Sequence, residues 1–208
     1  MIKSTKIGEY KMKKIIISAC LTTIIAMSAA TAMADSIRGK VGISGKIGFM
    51  NPADNESDFF KNKTDSGTIA AVGLLYGLDD HIALEVEASR TEFGSETGDF
   101  GVTNISLGGQ YRFGISPRQL VPFIGVGLDV LASNYDPNNG VSSDVDSTVG
   151  VHISGGIDFF LQKNLALSAE AKLVAAPEVK IKEWDGYHSG NFDPSSFSTT
   201  VGIRYFFN

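Results

Sequence analysis

The nearest approach to catalytic chemistry in this sequence is His152-Ile153-Ser154, an imidazole and a hydroxyl at positions i and i+2. A β-strand sets such a pair on one face. A serine nucleophile needs its histidine oriented by an acid within hydrogen-bond reach. Asp158, on the same run, is about 20 Å away at ~3.3 Å per residue, and no acid takes the matching place on the run that follows. No enzymatic activity is expected. His81, His152 and His188 are too scattered for a zinc set. Asp136-Pro137-Asn138-Asn139-Gly140, with Asp144 and Asp146 nearby, lacks the spacing and the terminal glutamate of a calcium loop. The expectation is no metal and no cofactor.

Composition bounds the partners. The chain has 208 residues, 43% hydrophobic and 20% charged, with 23 glycines and a single cysteine, Cys20. Lys11, Lys13 and Lys14 precede an apolar run over residues 15–30, and Ala32-Met33-Ala34 follows as a small-residue cleavage box. This is the layout of a secretory signal peptide. The expected domains are a signal segment over residues 1–34, with Met12 an equally good start, and a barrel over residues 35–208. Cleavage after Ala34 removes Cys20, five lysines and one glutamate, taking the formal charge from −5 to −9. An acidic exported chain is a poor match for nucleic acid.

Past Asp35 no apolar run is long enough for a membrane helix. Period two takes over, in eight runs. They cover residues 38–49, 68–76, 82–92, 102–113, 122–131, 149–159, 165–174 and 197–207. Val41, Ile43, Ile47 and Phe49 oppose Ser44 and Lys46; Leu84 and Val86 oppose Glu85 and Glu87; Val201, Ile203, Tyr205 and Phe207 oppose Thr200, Gly202 and Arg204. Long polar connections over residues 51–67, 93–101, 133–147 and 178–196 alternate with short turns.

A soluble sandwich also alternates, so the polar face must decide. Here it carries both signs at mid-strand: Lys40, Lys46, Arg112, Lys172 and Arg204 against Glu85, Glu87, Asp129, Asp158 and Glu170. Small residues share that face, as in the lumen of a narrow barrel filled by its own side chains. The expected fold is all-β: an eight-stranded antiparallel up-and-down transmembrane β-barrel with short periplasmic turns and long extracellular loops. Salt bridges should plug the lumen, so an open porin is not expected.

The last strand carries a more specific pattern. Thr200-Val201-Gly202-Ile203-Arg204-Tyr205-Phe206-Phe207 resembles the C-terminal assembly signal of bacterial outer-membrane proteins, with Thr200, Gly202, Tyr205 and Phe207 in the signature places; the family usually ends on the aromatic, whereas Asn208 follows here. Three stretches, Tyr76-Gly77-Leu78-Asp79-Asp80-His81-Ile82-Ala83-Leu84-Glu85, Pro122-Phe123-Ile124-Gly125-Val126-Gly127 and Asp193-Pro194-Ser195-Ser196-Phe197, are similar to the OmpW family of small barrels. That resemblance implies the outer membrane of a Gram-negative cell, with membrane lipid, lipopolysaccharide and the barrel-assembly machinery as partners. It also implies binding or passage of small hydrophobic molecules through an apolar upper lumen that opens sideways. The residues it selects are Ile69, Leu75, Leu131 and Val174, with Phe59, Phe60 and Trp184 as a lid. The alternative is an OmpX-like structural or adhesive barrel acting through its extracellular loops.

Overall fold

The computed structural model describes residues 36–53, 55–57, 60–62, 66–95, 98–114, 119–137, 143–144, 147–182 and 188–207. The expected signal segment and cleavage box, Phe59, Asp146 and Trp184 lie outside them. Alternating side chains give each strand an apolar and a polar face, and eight such ribbons close the apolar face outward. They are β1 (Val41–Pro52), β2 (Gly67–Gly77), β3 (Ile82–Ser95), β4 (Gly98–Arg112), β5 (Leu120–Pro137), β6 (Thr148–Gln162), β7 (Leu165–Ala175) and β8 (Ser196–Phe207). All pair antiparallel with their neighbours in sequence, and β1 pairs β8 from Val41↔Phe207 to Pro52↔Ser196. The ring has no open edge, the condition for strands in hydrocarbon.

The outer surface is what water would not tolerate. Ile47, Phe49, Val72, Val126 and Val201 are each 60–64% exposed, and the neighbouring outward positions are also apolar. At the short-turn end Tyr111 meets Phe113 edge-on, as Tyr205 meets Phe207, each pair at 5.0 Å. Aromatic rings at that height form the belt expected at a membrane interface.

Pairing continues where the period-two signal stops. The polar loop expected over residues 93–101 is largely strand: Phe93 stands opposite Phe100, and Phe100 opposite Tyr135. β5 also runs on to Pro137, whereas β6 begins opposite Leu131. Beyond that point β5 has β4 on one side and, on the other, the short strand Ser143–Asp144. Thus β3, β4 and β5 rise above the rim as a tongue. Outside the lipid neither face need be apolar, so composition ceases to mark the strand. The other long connections hold small ribbons, Asn55–Ser57 with Phe60–Asn62 and Val179–Lys182 with His188–Phe192.

The first strand starts at Val41 rather than Arg38 because Gly39 turns the chain, at a φ of +72°. That left-handed value suits glycine, which has no Cβ. Gly39 N–H donates to the Gly77 carbonyl and Gly77 N–H to that of Lys40. The segment folds beneath the barrel and inserts Ile37 among Leu75, Ala83, Val121, Phe160, Ala166 and Phe206.

Candidate functional site

From the short-turn end upward, the lumen is three layers. The lowest is the apolar cluster around Ile37, in which Phe160 stacks on Phe206 at 5.9 Å. Leu75 belongs to this layer. The resemblance had put it in the upper lumen, but β2 descends from Gly67, so Ile69 is near the loop end and Leu75 three pleats below. Parity told which way Leu75 points and not how high it sits.

The second layer is ionic. Arg112 and Arg204 both donate to Asp158 Oδ2 at 2.6 Å, and Arg204 reaches Glu85 Oε1 at 3.1 Å. The Arg112 guanidinium lies over Phe123 and Phe206 at 5.8 and 5.7 Å, and that of Arg204 over Phe123 at 5.4 Å. These rings seal the charges from the layer beneath. Higher, Lys46 Nζ sits among three carboxylates: Glu87 Oε2 and Glu170 Oε2 at 2.5 Å and Glu85 Oε1 at 3.5 Å. Lys172 holds the other oxygen of Glu87 at 2.6 Å. Arg204 and Asp158 are wholly buried, so each charge depends on its partners in place of water.

Four of the five cations expected in the lumen lie in this network. Lys40, the fifth, sits half-buried in the turn before β1. The place opposite the fifth carboxylate is taken by His152, whose Nδ1 is 2.6 Å from Asp129 Oδ2. The sequence reading looked for an acid on the same run and on the run that follows, and the acid comes instead from the run before. Asp129 comes from the preceding strand, diagonally across the ladder, since His152 pairs with Gly127. Asn104 Nδ2 donates to the second Asp129 oxygen at 2.7 Å. The signal available in the sequence was the pair of inward glycines, Gly108 and Gly127. A Cβ on Gly127 would stand 2.6 Å from the His152 ring.

The third layer is the upper apolar cluster: Met50, Ile69, Val102, Leu131, Val174 and Val179. Ile69, Leu131 and Val174 were expected here and are brought together. Between it and the ionic layer is a cavity of about 20 Å³, and the ladders around it are paired without a lateral gap among the described residues. Of the assembly signature, Thr200 and Gly202 take lumen parity while Tyr205 and Phe207 face outward. Among the described residues no group of three histidine, cysteine or acidic side chains is placed to hold a metal.

Eight antiparallel strands, belted with apolar residues and filled with paired charge, define a transmembrane β-barrel. Residues 18–205 match the outer membrane protein beta-barrel domain family, and the chain belongs to it. Membership implies the bacterial outer membrane. Comparison with curated proteins returns no match. Among solved structures, the chain is similar to OprG from Pseudomonas aeruginosa at a TM-score of 0.66 and 16% identity, over 86% of this chain and 99% of that one. It resembles Neisserial surface protein A at 0.65 and 15%, over 80% and 97%. The E. coli outer membrane protein W gives 0.50 and 16%, over 82% and 98%. At such identities the likeness is one of fold, and it extends to small outer-membrane barrels in general.

Proposed function

We propose that the barrel binds small hydrophobic molecules at its loop end and does no chemistry on them, the described residues leaving no sideways opening of the kind the OmpW resemblance implied. The observation that carries this reading is the stacking of layers. An apolar floor of Ile69, Leu131, Val174 and their neighbours faces the loop end directly above an ionic plug. Below that plug the Ile37 cluster closes the short-turn end. Ile69, Leu131 and Val174 are buried, so a molecule that parts them from the loop end lies against apolar surface with a charged barrier beneath it. Binding fits this arrangement; straight passage through the lumen does not.

The test is displacement of a fluorescent apolar probe from the refolded barrel in lipid nanodiscs, together with conductance in planar bilayers. Saturable probe binding is expected, weakened about tenfold by Leu131→Asn, the order of a 1.4 kcal/mol loss. No stepwise conductance is expected. Steady open-channel currents, or probe binding indifferent to Leu131→Asn, would overturn the reading.

A second reading, an adhesive or structural barrel of OmpX type, draws on the β3–β5 tongue, which lifts a sheet edge above the membrane surface. Shortening that tongue should abolish surface adhesion and spare probe binding. Equal adhesion by the shortened barrel would remove its support.

A further inference from the structure

The charges in the middle of the lumen do not balance. Lys46, Arg112, Lys172 and Arg204 face Glu85, Glu87, Asp129, Asp158 and Glu170, and His152 completes the set only when it carries a proton. The carboxylate without a permanent cation is Asp129, held by His152 and Asn104, and Asn104 links it to a specific place. Glu170 gives Oε2 to Lys46, but its Oε1 is buried without a hydrogen-bond partner; the residue is 6% exposed. Asn104 gives its amide to Asp129, and its Oδ1 is likewise buried and unpartnered. Both residues line the cavity of about 20 Å³, and Met50, Ile69, Val102, Leu131 and Val174 line its other side. The cavity is therefore amphipathic: two unpartnered acceptors and the hydroxyls of Ser89, Thr91, Ser196, Ser198 and Thr200 on its polar lining, and aliphatic surface on the rest.

A buried acceptor left unmade is costly, so the site is shaped for a donor. Space of that size admits one water-sized group. We propose that it is the head-group site for a primary alkyl amine, whose ammonium donates to Glu170 Oε1 and Asn104 Oδ1 while its tail lies among the upper apolar cluster. An ammonium supplies three donors, no acceptor and one positive charge. An alcohol supplies one donor and no charge; a carboxylate brings acceptors and the wrong sign. Lys172 also lines the cavity, where it is engaged by Glu87 Oε1 at 2.6 Å while Lys46 holds the other oxygen of that carboxylate. Met50, unbranched and adaptable, is the roof side chain suited to making way for the tail. This inference rests on the apolar-binding reading above and names the ligand class for the same end of the lumen.

The experiment uses the full-length barrel in nanodiscs, with dodecylamine, dodecanol and dodecanoate competing against the fluorescent apolar probe. Dodecylamine should displace at a concentration about tenfold below dodecanol, since charge-assisted hydrogen bonds are roughly twice as strong as neutral ones. Glu170→Gln should erase that preference, bringing the dodecylamine value to that of dodecanol measured on the same variant. Ile69→Lys, which brings a tethered ammonium in from the roof, should likewise leave amine and alcohol equal with Glu170 intact. The heat-dependent gel shift verifies that each variant is folded, and either variant alone decides the matter. Equal displacement by amine and alcohol in the wild type, or a preference that survives in a folded variant, would show a cavity that holds only water and would overturn the inference while the apolar-binding reading stands. Failure of all three chains to displace, with no saturable probe binding, would remove both.

Discussion

His152 and Asp129 are joined at 2.6 Å although the ladder sets Gly127, not Asp129, opposite the histidine. The ring leans across the barrel wall over two glycines, and the acid two residues up the neighbouring strand turns down to meet it. Removing one member should therefore cost more than removing both. We expect His152→Ala to lower stability by about 3–5 kcal/mol, the usual loss when a buried charge is left without its partner. The double variant His152→Ala with Asp129→Asn should recover part of that loss. Urea unfolding in lipid measures it, and strictly additive losses would contradict the pairing.

Arg204 is a sterner case, because it is wholly buried and serves both Asp158 and Glu85. Arg204→Met should destabilise by about 3–5 kcal/mol, and Arg204→Lys should recover only part, since one ammonium cannot reproduce the two-pronged fork. The unfolding midpoints of the three proteins should rank in that order; equality of the lysine variant with wild type would show that geometry is unimportant here.

Gly202 of the closing strand has a structural reason independent of recognition. A Cβ built there would lie 2.2 Å from the Gly45 carbonyl oxygen across the β1–β8 seam, whereas one on Gly45 meets nothing within 4 Å. Gly202→Val should abolish the heat-modifiable folded band and Gly45→Val should keep it. Loss of the band in both would mean that bulk anywhere near the seam is harmful, and not the close approach itself.

The turn after β2 is held by a carboxylate. Asp79 Oδ1 accepts the N–H groups of His81 and Ile82 at 2.7 and 2.6 Å. These bonds hold its carboxyl below the ordinary value of 3.8. A carboxylate whose folded value is depressed contributes stability that is present above its ordinary range and is lost as pH falls through the folded value. The wild type should therefore lose its margin over Asp79→Ala as pH is lowered through the acid range. Heat-shift temperatures taken from neutral pH downward give the comparison, and a constant difference would refute the role of the charge.

Val126 is 64% exposed and stands among apolar neighbours on the outer face. An arginine there should cost about 2–4 kcal/mol if the band is at the bilayer midplane. The same change at Ala132, past the last β5–β6 pair, should cost far less. Refolding yields into lipid vesicles would tell the two apart.

Which way each strand faces was legible from sequence, because a side chain's face follows strict parity and lipid and lumen demand opposite chemistry. Val41 to Phe49, Leu84 to Glu87 and Val201 to Phe207 all lie on the faces their alternation announced. Strand ends above the membrane were not legible, since Phe93, Phe100 and Tyr135 enter a ladder whose faces no longer differ in solvent.

The fold class, the lumen face and the opposite charges that fill it follow from the order of residues along each strand. Which charges meet follows from closure of the barrel. Closing a ring fixes the stagger between strands, and the stagger sets heights: it placed Leu75 at the bottom with Phe206, brought Asp129 to His152, and left Glu170 Oε1 without a donor beneath Leu131. Parity is a local property of each strand, whereas height in the lumen is a sum of registers around the whole ring.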